Sequence, residues 1–212
     1  MLGAVKRALI RRHPIAEERL RLLRQMPQQS ICAEIGVYQG QFSSAILKIT
    51  KPRELHLIDA WKFISDPAYS RSWFGGRIGQ SQATMDRIYR RVTKQFADEI
   101  AAGTVKIHRK LSADAAASFP DHYFDWVYID ADHTYEAVSQ DLHAFYPKLR
   151  DAGFVAGDNY GYRPDWWWKD GVKRAVDEFV AEGWCDAPQI SNDQFVMQKK
   201  TESVSSWFPE MA

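Results

Sequence analysis

Two carboxylates lie just past apolar runs in one stretch of the chain. Trp126–Ile129 runs into Asp130, and Phe154–Ala156 leads through Gly157 to Asp158 and Asn159. Between them Thr134–Leu149 has helical spacing, so the stretch reads as a strand, a crossover helix and a strand. Parallel neighbours lie about 4.8 Å apart. Their carboxyl ends would then share one edge, and Asp130 and Asp158 could face one point and share one cation. Open parallel sheets bind ligands at that edge.

A second group precedes it. Ile31–Ile35 is a short strand, and Glu34-x-Gly36-x-x-x-Gly40 spans the turn between it and a helical segment, Phe42–Ile49. Glycine lets the backbone approach a ligand closely. Neither the dinucleotide fingerprint nor the phosphate loop is present. An acid before the first glycine would repel a pyrophosphate and suits a cationic ligand, such as an amine or a sulfonium. Leu55–Ile58 ends on Asp59, about 20 residues beyond the glycines, where an acid takes ribose hydroxyls.

These groups need a frame. Residues 4–26 read as a helix with Leu20, Leu22, Leu23 and Met26 on one side, a cover or dimer contact with no chemistry of its own. Residues 61–80 form a long irregular stretch suited to a lid. Residues 81–101 read as one basic amphipathic helix, with Arg87, Arg90, Arg91 and Lys94 on a solvated face. Val105–His108 is a third strand, and Ser112 is placed to cap a small helix. On the crossover helix, Asp141 reads as a solvated residue. Residues 160–170 carry Trp166, Trp167 and Trp168 in a second aromatic loop, which could pack or touch a substrate. Val172–Glu182 is helical, and Gln194–Met197 is a last strand that could pair with 184–190 as a hairpin turning at Ser191-Asn192. The alternation implies an α/β fold: a single-domain, Rossmann-like, doubly wound sheet, mostly parallel with an antiparallel last strand. Residues 1–29 form its helical cover, 30–200 the domain and 201–212 a tail.

The bulk numbers narrow the classes. With 28 basic and 27 acidic side chains the net charge is +1, which argues against a general nucleic-acid binder. No apolar run approaches the roughly 18 residues of a membrane span, and the N-terminus does not resemble a secretory signal. Cys32 sits in an apolar strand and reads as a reduced, buried thiol. A cytoplasmic protein follows as the expectation, with a homo-oligomer left open.

AEIGVYQG, LIDAW, KLSADA, DWVYIDADHTYEAVSQDL and GFVAGDNY, in that order, resemble the motifs of class I S-adenosylmethionine-dependent methyltransferases. The small subgroup of macrocin-type sugar O-methyltransferases is the most similar, and the catechol and caffeoyl-CoA enzymes are so more loosely. The resemblance implies S-adenosylmethionine as cofactor. Glu34, Gly36, Val37, Tyr38 and Gly40 would wrap its methionine end, Asp59 and Ala60 would hold the ribose, Ser112 and Ala113 would border the adenine, and Asp130 would complete the pocket. Tyr38 stands where the common turn has its middle glycine. The resemblance also implies a divalent cation such as Mg²⁺ on Asp130, Asp158 and Asn159. Such a hard oxygen site would orient a hydroxyl and lower its pKa. His133 or Asp132 would be the general base, imidazole having an ordinary pKa near 6.5. The expectation is O-methylation of a small hydroxylated molecule or glycosyl group. A metal-independent methyltransferase and a non-catalytic cofactor-binding or scaffold protein are the alternatives.

Overall fold

Every residue of Ile31–Ile35 (β1) is buried, so this strand lies inside the sheet. Its side chains alternate between two cores. Ile31, Ala33 and Ile35 face one, and Cys32 faces the other. The computed structural model describes residues 17–76 and 81–201. Most of the expected 4–26 helix therefore lies outside the described residues, which retain Glu17–Gln25 (α1).

The elements that follow are Gln41–Thr50 (α2), Glu54–Ile58 (β2), Gln82–Gln95 (α3), Ala97–Ala101 (α4), Val105–His108 (β3) and Ser112–Ala116 (α5). Then come Phe124–Ile129 (β4), Tyr135–Phe145 (α6), Leu149–Gly157 (β5), Gly171–Ala181 (α7), Gln189–Ser191 (β6) and Gln194–Gln198 (β7). The seven strands lie in the order β3-β2-β1-β4-β5-β7-β6. β1 to β5 are parallel, and β7 is antiparallel to β5. The order reverses between β1 and β4, the switch point where doubly wound sheets leave a crevice.

One face packs α5, α6 and α7 against Ile35, Val127, Ile129 and Val155. The other packs α1, α2 and α3 against Leu55, Leu57, Trp126 and Tyr128. Cys32 and Cys185 are buried and unpaired by any disulfide. Arg87, Arg90, Arg91 and Lys94 are exposed, as their spacing implied. Among the described residues no helix is long and apolar enough to cross a membrane.

Several expectations shift. The crossover helix ends at Phe145, and Leu149, read as its last residue, opens β5. The single 81–101 helix is two, because Phe96 leaves helical geometry (φ −107°, ψ 23°) to bury its ring. The hairpin turns on Asn192 and Asp193, both at positive φ, rather than on Ser191-Asn192. That left-handed pair is the geometry a two-residue hairpin loop requires. The 61–80 stretch carries one 3₁₀ turn, Pro67–Tyr69, among its described residues.

Candidate active site

In the β1–α2 turn Gly36 has φ +94°, Tyr38 +48° and Gly40 +74°. A Cβ on Gly36 would strike the Asp130 carbonyl, 2.5 Å from its carbon, so β1 and β4 touch backbone to backbone there. Tyr38 occupies a conformation that costs an ordinary residue about 1–2 kcal/mol. Its neighbours hold it. Val37 N and Tyr38 N donate to Asp59 Oδ2 at 3.1 and 2.9 Å. Trp61 N donates to Asp59 Oδ1 at 2.7 Å, and the Trp61 indole donates to Tyr38 O at 2.9 Å. Trp61 is itself at φ +42° and buried. The expected residues Gly36, Val37, Tyr38, Gly40, Asp59 and Ala60 thus converge. Trp61, which locks them, closes the LIDAW motif but was assigned no role from the sequence.

Burial pushes the Asp59 carboxyl up, against the pull of the Trp61, Tyr38 and Val37 amides. Glu34 is buried and accepts from Ser43 Oγ, and burial raises its carboxyl to about 8. The set fits S-adenosylmethionine. A carboxylate has about four lone-pair sites, and three on Asp59 are taken, which leaves one for a ribose hydroxyl. Ser112 and Ala113, half-buried, open α5 beyond β3 at the same sheet edge.

Ser112 does not cap α5. The cap position is Leu111, and the Ser112 side chain instead bonds Asp141. Asp141 is 2% exposed, not solvated, because it shares the inward face of α6 with Val138, Leu142 and Phe145. Burial raises its carboxyl to about 7. Its folded pKa lies above the unfolded value, so the stability this group contributes is full below about pH 4 and is lost as pH rises through about 7. Asp141→Asn is expected to flatten that loss, on the order of 4 kcal/mol over the whole range at about 1.4 kcal/mol per pKa unit. Urea unfolding near pH 5 and near pH 8 measures it, and identical pH dependence in both proteins would refute the assignment.

Past β4 and β5, Asp130 and Asp158 follow Ile129 and Gly157, which pair in register. The two carboxylates do converge. Between them lies the guanidinium of Arg19, from α1. It donates to Asp130 Oδ2 and stands 3.7 Å from Asp158 Oδ2. Its Nε donates to the Tyr128 hydroxyl at 3.0 Å, which donates to Gln194 Oε1 at 2.5 Å. Gln194 Nε2 and Asn159 N donate to Asp158 Oδ1. Burial alone would raise Asp130, but Arg19 and His133 outweigh it and hold the carboxyl low. Asp158, buried and facing the charge of Asp130, is pushed up. The two expected carboxylate ligands therefore meet, yet the oxygens that face each other already serve Arg19. A divalent ion does not fit there while the guanidinium stays. α1, read as a cover without chemistry, delivers a charge into the site.

His133 Nε2 lies 3.1 Å from Asp130 Oδ1, and its ring meets Trp168 edge-on at 4.8 Å. Asp132 is held differently. Tyr69 Oη donates to its Oδ2 at 2.8 Å and Thr134 N to its Oδ1 at 3.1 Å. Burial and Asp132 push Tyr69 to about 12, so its hydroxyl stays a donor at neutral pH. Tyr69 and Phe74 also meet Trp167, which joins the 61–76 stretch to the second aromatic loop over the strand ends. His133 Nδ1, Trp167 Nε1, Trp168 Nε1 and Ser72 Oγ are buried with no hydrogen-bond partner. Tyr69→Phe removes the bond from the 61–76 stretch to Asp132. A bond to a charged group contributes about 1.5 kcal/mol, so a roughly tenfold rise in acceptor KM with little change in kcat is expected. Steady-state kinetics would refute it by an unchanged KM.

A family model described as a methyltransferase domain matches residues 33–160, more than half of the chain. Among solved structures, a protein from Corynebacterium glutamicum aligns with TM-score 0.62 at 13% identity, covering 91% of this chain and 85% of that one. The O-methyltransferase NovP aligns with TM-score 0.60 at 21% identity, covering 88% and 81%. Cofactor-bound Rv0187 from MTB aligns with TM-score 0.62 at 14% identity, covering 89% and 82%. At these identities the likenesses show a shared fold. No curated protein matches the chain.

Proposed function

The chain belongs to the methyltransferase-domain family and uses S-adenosylmethionine, and from that premise we propose that it methylates a hydroxyl oxygen of a small acceptor. The observation that carries this is the Asp130–His133 contact beside the glycine turn. Nε2 of His133 faces the Asp130 carboxylate and donates to it, so in the neutral ring Nδ1 is the nitrogen that carries the lone pair. Nδ1 is buried and unpartnered, available to an acceptor hydroxyl.

When bound, the cofactor supplies a methyl group on a positively charged sulfur. The chain's residues do the rest. Glu34 and the Gly36–Gly40 turn seat the methionine end, and Asp59 takes the ribose. His133 would remove the acceptor proton, which frees the oxygen's electron pair for the methyl group that the bound cofactor would supply. Asp132 is the less free of the two, since Tyr69 and Thr134 each already engage one of its oxygens. The unpartnered indole donors of Trp167 and Trp168 favour an oxygen-rich acceptor, a glycosyl group or a hydroxylated ring. Placement accounts for most of the rate in such a displacement.

The test is a panel of hydroxylated sugars and phenols with radiolabelled S-adenosylmethionine, each compared with its deoxy analogue. Transfer that needs the hydroxyl supports the proposal. Equal transfer to the deoxy analogues, or cofactor binding without transfer to any acceptor, defeats it.

A further inference from the structure

Arg19 has a seat built on four sides. Its guanidinium lies 4.3 Å from the Phe42 ring centroid and 5.2 Å from that of Tyr128. Asp130 and Asp158 flank it, and the Tyr128–Gln194–Asp158 chain closes the circuit. The Arg19 side chain is 20% exposed and that of Asp158 18%, so one edge of the cluster meets solvent at the strand tips. A guanidinium has five N–H donors. Asp130, Asp158 and Tyr128 engage three at most, which leaves donors for a ligand oxygen.

We propose that Arg19 is the resident cation of the acceptor site. It holds the two carboxylates together and positions the acceptor oxygen, so that methyl transfer runs without a divalent metal. The inference rests on the O-methylation reading above. Three physical points carry it. The guanidinium and a metal ion would compete for the same oxygens and repel each other. Its charge cannot be removed at neutral pH, so the site keeps a cation under all working conditions. Its rigid fork also suits paired oxygens, whereas Mg²⁺ demands near-octahedral coordination. Loss of the arginine would leave two facing carboxylates uncompensated, which is the composition of a divalent-cation site.

The experiment uses the full chain as wild type, Arg19→Ala and Arg19→Lys. Mn²⁺ binding is followed by electron paramagnetic resonance, and methyl transfer is measured in EDTA and in excess Mg²⁺. Wild type is expected to keep its rate in EDTA and to bind no Mn²⁺ at the site. Arg19→Ala is expected to lose on the order of 100-fold in EDTA, to gain a Mn²⁺ site and to recover part of its rate with Mg²⁺. Arg19→Lys should fall between. S-adenosylhomocysteine affinity reports whether the fold survives, and Arg19→Gln replaces the alanine variant if it does not. A wild type that EDTA silences and that binds Mn²⁺ overturns the proposal. So does a variant that loses stability and rate with no Mn²⁺ site and no metal rescue. If no hydroxylated acceptor is methylated, the O-methylation reading fails, while the Mn²⁺ titrations still decide whether Arg19 stands in place of a metal.

Discussion

Replacing His133 with alanine is expected to lower kcat by about 100- to 10,000-fold, the usual contribution of a positioned base, with cofactor affinity nearly unchanged. The expectation follows from where the ring is held. Asp130 fixes one nitrogen, Trp168 packs its edge, and the other nitrogen has no partner. A Cβ on Gly171 would lie 2.6 Å from His133 O, so the start of α7 presses against the same segment. Nothing in the glycine turn depends on this ring, which is why binding should survive. Asp132→Asn is the comparison. It should act through the Tyr69 contact and raise KM. If Asp132→Asn costs more kcat than His133→Ala, the roles are exchanged.

Gly36→Ala is expected to abolish cofactor binding. The new methyl would lie 2.5 Å from the Asp130 carbonyl carbon and 2.7 Å from Ala131 Cα, both backbone atoms. Side chains could move aside, but the backbone of the neighbouring strand end cannot without separating β1 from β4. Overpacking of this kind costs about 1–3 kcal/mol, and φ +94° adds backbone strain. Gly40→Ala should be milder. Its methyl would meet the Phe96 ring at 2.9 Å, a side chain that can give. Gly183→Ala, with nothing within 4 Å and φ +92°, isolates the backbone cost alone. Calorimetry with S-adenosylhomocysteine and thermal melts order the three. Equal losses in all of them would refute the steric account.

The strand ends were legible because apolar runs stop at them. β1 and β3 keep the boundaries read from the sequence, and β2 and β4 gain only one and two residues. The convergence of Asp130 and Asp158 follows from parallel pairing across one crossover. What filled the gap between them was misread, for a specific reason. Arg19, Leu22, Leu23 and Met26 fall at i, i+3, i+4 and i+7, so helical spacing puts the arginine on the buried face. Asp141 repeats the pattern on α6, with Val138, Leu142 and Phe145. In both helices a charge in an apolar slot was assigned by its type and not by its position. The Tyr69–Asp132 and Trp61–Tyr38 bonds had no such trace, since they join irregular segments whose geometry no period describes.

On the proposed mechanism these strand tips deliver a methyl group to oxygen. Nuclear magnetic resonance of the product made from S-adenosylmethionine carrying a ¹³C-labelled methyl reads the atom that receives it. The expected product is a labelled methyl ether on the acceptor, formed by wild type and lost with His133→Ala. A label on nitrogen or carbon, or an ether that forms as fast without His133, would contradict it.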